Sequence, residues 1–243
     1  NIIPDVTVTL DPNDYRIIRW FGDKTLSKKK ILKDDYFRRQ DLDHGFNDEM
    51  KANQNIIKLF DKFAKKLNIA VCTSASELVV NRLVKAKANL FWWNPLLDDP
   101  NKKKSLSRKI FNKNKLPLIN AGGNVGSAAW MIANAVLCCN KIALVGMDYS
   151  YYINTPFKQT QYYDVIKDRV GLKYLKFFYT KIFNPIIKTN FYTDHAYLWY
   201  RNCFLEMIGE ANSKTTNCSG AGILFGKKLG WTTLHNFCKI NLN

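Results

Sequence analysis

The chain has 243 residues, of which 47% are hydrophobic and 23% charged, and 37 Lys and Arg against 20 Asp and Glu give it a net charge of +17. That composition supports a real core and argues against global disorder, and the length suits one large α/β domain, alone or with a lid or insertion. No apolar run is long enough to span a bilayer and no signal peptide is visible, which points to the cytoplasm, with peripheral contact at the inner membrane face. The charge favours anionic partners: phosphates first, an anionic membrane surface second, nucleic acid third. No RNP, helix-turn-helix or zinc-finger pattern accompanies it, so no specific nucleic-acid partner is assigned.

Taken in chain order, residues 5–10 read as a strand that stops at Asp11-Pro12. Residues 49–67 place Ile56, Ile57, Leu59, Phe60, Phe63 and Leu67 near helical spacing, with lysines on the other side. Residues 69–72 and 89–93 read as strands ending at Thr73-Ser74 and Asn94-Pro95. The basic, polar stretch 102–115 reads as a solvated loop. Residues 116–119 form a strand ending at Asn120-Ala121-Gly122, and residues 127–139, apolar nearly all round, read as a buried helix packed on the sheet. The run 141–145 is a fifth strand, stopping at Gly146-Met147-Asp148. Continuous apolar runs of this kind suit strands covered on both faces. Alternation of strand and helix predicts a doubly wound, mainly parallel, Rossmann-like α/β fold.

Beyond this core, residues 149–190 are rich in Tyr, Phe and Lys. Within them, residues 165–183 read as an amphipathic helix, serving as a lid or insertion or lying on a membrane surface. The expected organisation is a nucleotide-binding core over 1–150, a lid over 151–192, and a helix-strand-helix over 193–243 that completes the core. In that last part a helix covers 196–210, residues 215–222 run from a strand into a second small-residue turn, and a final helix starts near Thr232. None of the six cysteines forms a CxxC pair. They read as buried free thiols of a reducing compartment rather than a disulfide framework or zinc site.

The strongest local signal for chemistry is Ala121-Gly122-Gly123-Asn124-Val125-Gly126, between a strand and a buried helix. Glycine lets the backbone approach a ligand closely, and a helix start offers unpaired N–H groups and partial positive charge, which together receive phosphate. Asn124 and Ser127 can add side-chain hydrogen bonds. The pattern is neither a Walker A motif nor a full GxGxxG, and a plain tight turn would look alike. In an open parallel sheet, ligands sit beyond the carboxyl ends of the strands. That rule gathers Asp11, Thr73, Ser74, Asn94, Gly122, Gly123, Asn124, Ser127 and Asp148 at one edge, and the late turn adds Asn217 and Ser219. Asp11 and Asp148 suit a ribose hydroxyl, a base edge, Mg²⁺ or a helix cap; they form no DxD motif, so no metal site is assigned. His195, one of three histidines, suits a general base or an ordinary surface position, with Asp194 as N-cap of the helix that follows. No GxSxG nucleophile elbow occurs.

Two stretches carry a resemblance: Gly122-Gly123-Asn124-Val125-Gly126-Ser127-Ala128-Ala129, and Lys141-Ile142-Ala143-Leu144-Val145-Gly146-Met147-Asp148-Tyr149-Ser150-Tyr151. Together they resemble the central motif of the MptE-like family, which includes motility-associated flagellin glycosyltransferases and archaeal 6-hydroxymethylpterin diphosphokinases, and the matching stretch of bacterial sialyltransferases. Residues 4–12 are similar to the family's early strand and Asp-Pro turn, and residues 217–226 to its late Asn-Ala-Thr-Glu-Gly-Gly segment. The family usually opens with a Gly-x-Gly-Pro-Ser-Leu loop, expected to precede Asn1, and this chain has Ser219-Gly220-Ala221 where the family tends to show Thr-Glu-Gly. The resemblance implies a transferase that moves a sugar, such as the nonulosonate sialic acid, from a nucleotide-activated, CMP-linked donor to a glycan or protein acceptor. CMP would lie across the strand ends with its phosphate near Gly123 to Ser127, and His195 would deprotonate the acceptor hydroxyl for inverting attack at the anomeric carbon. Two alternatives stand beside it: a pterin diphosphokinase using ATP and Mg²⁺, and a non-enzymatic basic module that binds nucleic acid or membrane.

Overall fold

The computed structural model describes residues 3–27, 29–30 and 49–241. The chain forms two compact units, residues 1–129 and 130–243. The expected core (1–150), lid (151–192) and C-terminal part (193–243) fall across these two units, and His44 lies outside the described residues.

The first unit runs β1 (Thr7–Thr9), α1 (Asp14–Ile18), α2 (Glu49–Phe63), β2 (Asn68–Cys72), α3 (Glu77–Lys85), β3 (Asn89–Pro95), α4 (Leu106–Asn114), β4 (Leu118–Ile119) and the start of α5 (Val125–Met131). Its four strands pair in parallel in the order β1-β2-β3-β4. Parallel neighbours need crossovers, and helices supply them. Ile69, Val71, Val79 and Leu83 are completely buried and join Phe60 and Phe21 in one core. Arg82 is buried with them; its Nε donates to the carbonyls of Phe21 (3.0 Å) and Gly22 (2.9 Å), and its Nη1 meets Asp61 Oδ1 at 2.6 Å.

The second unit contains β5 (Lys141–Leu144), β6 (Tyr151–Tyr152), α6 (Tyr163–Tyr174), β7 (Tyr179–Asn184), β8 (Thr189–Asp194), α7 (His195–Glu210), β9 (Lys214–Asn217), β10 (Leu229–Trp231) and α8 (Leu234–Asn241). One parallel sheet has the order β10-β9-β5, and an antiparallel sheet has the order β6-β8-β7. Trp130, Phe191, Phe204, Ile223 and Leu224 centre its core, where the Trp130 indole N–H donates to Thr215 Oγ1 at 2.9 Å. The α/β class with parallel strands is therefore present in both units.

Three local expectations are corrected. Residues 106–114, expected as loop, form α4. Ser105 caps it by accepting from the Arg108 amide (3.0 Å), Asp98 binds the Ser105 hydroxyl (2.6 Å) and the Leu106 amide (2.8 Å), and Lys115 closes the helix in the left-handed conformation at φ 58°. The Ser105 hydroxyl and the neighbouring amides hold the Asp98 carboxyl well below the usual carboxylate range. Residues 165–183 are not one helix. Gly171 (φ 73°) breaks α6, a 3₁₀ turn follows over Leu175–Phe178, and the alternating Tyr179–Asn184 pairs antiparallel with β8. The buried helix expected over 127–139 is α-helical only to Met131, widens to a π turn over Ile132–Val136, and ends with Val136 and Leu137 more than half exposed.

Candidate functional site

Because β1 to β4 are parallel neighbours, their carboxyl ends share one edge of the first unit. The predicted residues there tie the strand ends together. Ser74 Oγ donates to the Leu10 carbonyl (2.6 Å), and Thr73 Oγ1 donates to Asn94 Oδ1 (3.0 Å). Asn94 is completely buried. Its carboxamide exchanges hydrogen bonds with Asn114 (2.9 and 3.0 Å) and donates to the Leu116 carbonyl (3.1 Å), which fixes the entry to β4. Asp11 Oδ1 accepts from the Asn13 amide (2.8 Å), a local turn leading into α1. Of these side chains, Thr73 is exposed.

The glycine turn follows β4. Gly122 (φ 55°) and Gly123 (φ 87°) hold positive φ, which lets the chain double back onto α5. Two amides are used within the turn: Gly122 donates to Asn120 Oδ1 (3.0 Å) and Asn124 to the Ala121 carbonyl (3.1 Å). Asn124 caps the helix, its Oδ1 accepting from the Ser127 amide (3.0 Å) and its Nδ2 donating to Ser127 Oγ (2.9 Å). The amides of Gly123, Val125 and Gly126 donate to no described residue. Three backbone donors thus stand at the positive end of a helix, while the Asn124 and Ser127 side chains engage each other.

In the second unit, β5 and β9 are parallel and end side by side. Ser219 Oγ accepts from the amides of Gly146 (3.0 Å) and Met147 (3.4 Å), and the Asp148 carbonyl accepts from the Ile223 amide (2.9 Å). The structure therefore brings Asp148, Asn217 and Ser219 to one edge. Asn217 is completely buried and spends its side chain on the loop, donating to the Leu224 carbonyl (2.9 Å) and accepting from the Ser219 amide (2.9 Å). Arg201 Nε and Nη2 hold the same loop through the carbonyls of Ile223 (2.7 Å) and Phe225 (3.0 Å).

Asp148 Oδ1 is buried with no hydrogen-bond partner among the described residues. Burial pushes the carboxyl above its ordinary 3.8, against a lowering hydrogen bond from Ser219. A folded-state pKa raised above the unfolded one means that the folded state holds the proton longer, so this group's contribution to stability falls as pH rises through that interval. Asp148→Asn carries no such titration. Urea unfolding from pH 3 to 7 should show the variant gaining on the wild type as pH rises above the ordinary carboxylate value of 3.8. A pH-independent difference would contradict the assignment.

His195 opens α7 directly after β8. Asp194 caps the helix, as the sequence predicts: it is completely buried, Oδ1 accepting from the Tyr197 amide (2.9 Å) and Oδ2 from the Tyr151 hydroxyl (2.9 Å). Burial raises its carboxyl pKa despite these donors. His195 itself is exposed, its ring beside that of Phe178 at 5.1 Å. Sequence reasoning missed Tyr151 and Tyr197, whose rings stack at 5.3 Å behind the cap. The available signal was only the density of aromatic residues over 149–152: Tyr149 takes φ 51° and the strand begins at Tyr151, so no strand alternation marks the pair.

Among the described residues, no group of three or more His, Cys, Asp or Glu side chains is placed to hold a metal ion. Among the same residues, no helix is long and apolar enough to cross a membrane. Fold and edges define the class: an α/β chain with parallel strands and polar loops at their carboxyl ends. No family model matches this chain, and neither the curated proteins nor the solved structures yield a match.

Proposed function

We propose that the chain is a glycosyltransferase-like enzyme of MptE-like or sialyltransferase-like kind, with a Rossmann-like, doubly wound core, using a nucleotide-activated sugar donor. One observation carries this reading: the Gly123, Val125 and Gly126 amides donate to no described residue at the start of α5. Backbone N–H groups at a helix start, with glycine permitting close approach, are a general phosphate-binding arrangement. The net charge of +17 suits the same anionic donor. The role proposed for His195 is that of general base toward the acceptor hydroxyl. Its exposure leaves the imidazole open to an acceptor, and its position at the start of α7 is fixed by the buried Asp194 cap.

Calorimetric titration with CMP and CDP tests the reading. Saturable binding is expected, weakening as salt rises because the phosphate is the anchored group. Absence of binding by any pyrimidine nucleotide would remove it.

A further inference from the structure

The register of the β5–β9 pair sets Lys141 opposite Lys214 and Ala143 opposite Thr216. Paired residues of a parallel ladder project to the same face, so two ammonium groups are carried side by side. Gly230 of β10, the partner of Thr216, adds no side chain to that face. The other face bears Ile142, Leu144, Thr215 and Asn217, all buried. On the lysine face a cavity of about 110 Å³ opens against α8, bounded by Lys141, Lys214, Thr216 and Thr232 and walled by Phe237 and Ile240, with Asn241 at its margin. It is roomier than a single water needs.

Every polar side chain there can donate. Lysine offers only donors, and the Thr216 and Thr232 hydroxyls and the Asn241 amide add more. Neither lysine side chain, and neither threonine hydroxyl, pairs with a described residue. Like charges opposite one another on a sheet cost stability, and no ion pair joins either lysine to a described residue. An anion held between the two ammonium groups would offset it.

We propose that this cavity is a binding site for a phosphate-type oxyanion, held by Lys141 and Lys214 with hydroxyl donation from Thr216 and Thr232. The site is separate from the Asp148 and Ser219 edge: it runs along the Lys141, Lys214 and Thr216 face of the sheet, against α8, and neither Asp148 nor Ser219 lines it. Lys acts on phosphate as a point charge, so two of them with hydroxyl donors suit a tetrahedral oxyanion without demanding a fixed planar fork.

The test is titration of the isotopically labelled chain with inorganic phosphate at constant ionic strength, followed by amide NMR. Saturable shifts are expected at Lys141, Lys214, Thr216 and Thr232. The double variant K141Q/K214Q should weaken them at least about tenfold, and each single variant by roughly three- to tenfold. Both lysines are exposed, so the variants are expected to fold, and the single variants serve if the double one does not. A parallel titration with phenyl phosphate separates two sources of the same chemistry. Tighter binding, with added shifts at Phe237 and Ile240, assigns the site to a phosphomonoester; equal affinity assigns it to free phosphate. Absence of saturable shifts at these amides in the unmodified chain, or unchanged affinity in the lysine variants, would overturn the proposal.

Discussion

Replacing Gly222 by Ala is expected to destabilise the chain by about 2–5 kcal/mol. Two costs combine. Gly222 sits at φ +86°, where an L-residue is strained. Its added Cβ would also lie 2.5 Å from the Asp148 carbonyl oxygen and 2.6 Å from the Asp148 Cα, which are backbone atoms without a rotamer to change. Gly220 is the natural control. It has a similar φ of +74°, but a Cβ there meets nothing within 4 Å. Gly220→Ala should therefore cost only the conformational part, about 1–2 kcal/mol. Urea unfolding of both variants separates the two costs. Equal losses would show that the approach of Gly222 to Asp148 is not what holds this edge together. The same approach joins the Asp148 loop to the late glycine turn at one sheet edge: the Ile223 amide binds the Asp148 carbonyl (2.9 Å), and Asn184 Nδ2 binds the Gly222 carbonyl (2.8 Å).

His195→Ala should lower the rate of sugar transfer by roughly 10²–10⁴-fold, the usual worth of a positioned general base. Nucleotide affinity and folding stability should stay near those of the wild type. The imidazole is exposed, the cap of α7 is made by Asp194 rather than by His195, and alanine is a good helix former at this position. His235→Ala, on the exposed face of α8, is the matched control and should leave the rate unchanged. Transfer assays paired with calorimetry check both halves of the expectation. An unchanged rate, or lost nucleotide binding, would strip His195 of its assigned role.

β2 was legible because burial on both faces leaves a continuous apolar run, Ile69 to Cys72, where every residue is at most 7% exposed; the runs at 89–93 and 141–145 read the same way, yet Phe91 is 59% and Val145 60% exposed. Residues 106–114 misled because their lysines hide a helix set by its ends: Ser105 and Asp98 at one, Lys115 in the left-handed region at the other. Residues 179–183 misled because aromatic residues fit both a helix face and a strand, and only pairing with β8 decides between them. At the candidate edges, sequence identified the residues but not their work. Asn94 and Asn217 look like ligand-binding amides in sequence, yet both are completely buried and each binds its own chain. A single sequence does not reveal which partner an amide satisfies, because those partners are distant along the chain or belong to backbone groups. The Asp194 cap was readable because capping is local, whereas its second donor, Tyr151, lies 43 residues away.

The central claim is that backbone amides at the start of α5 receive a phosphate. Amide-resolved NMR titration with CMP, beside cytidine, tests it most directly. The account predicts saturable shifts at Gly123, Val125 and Gly126 with CMP, and far weaker binding of cytidine, which lacks the phosphate. If CMP binds while those three amides stay unmoved, or if cytidine binds as tightly as CMP, the account is contradicted.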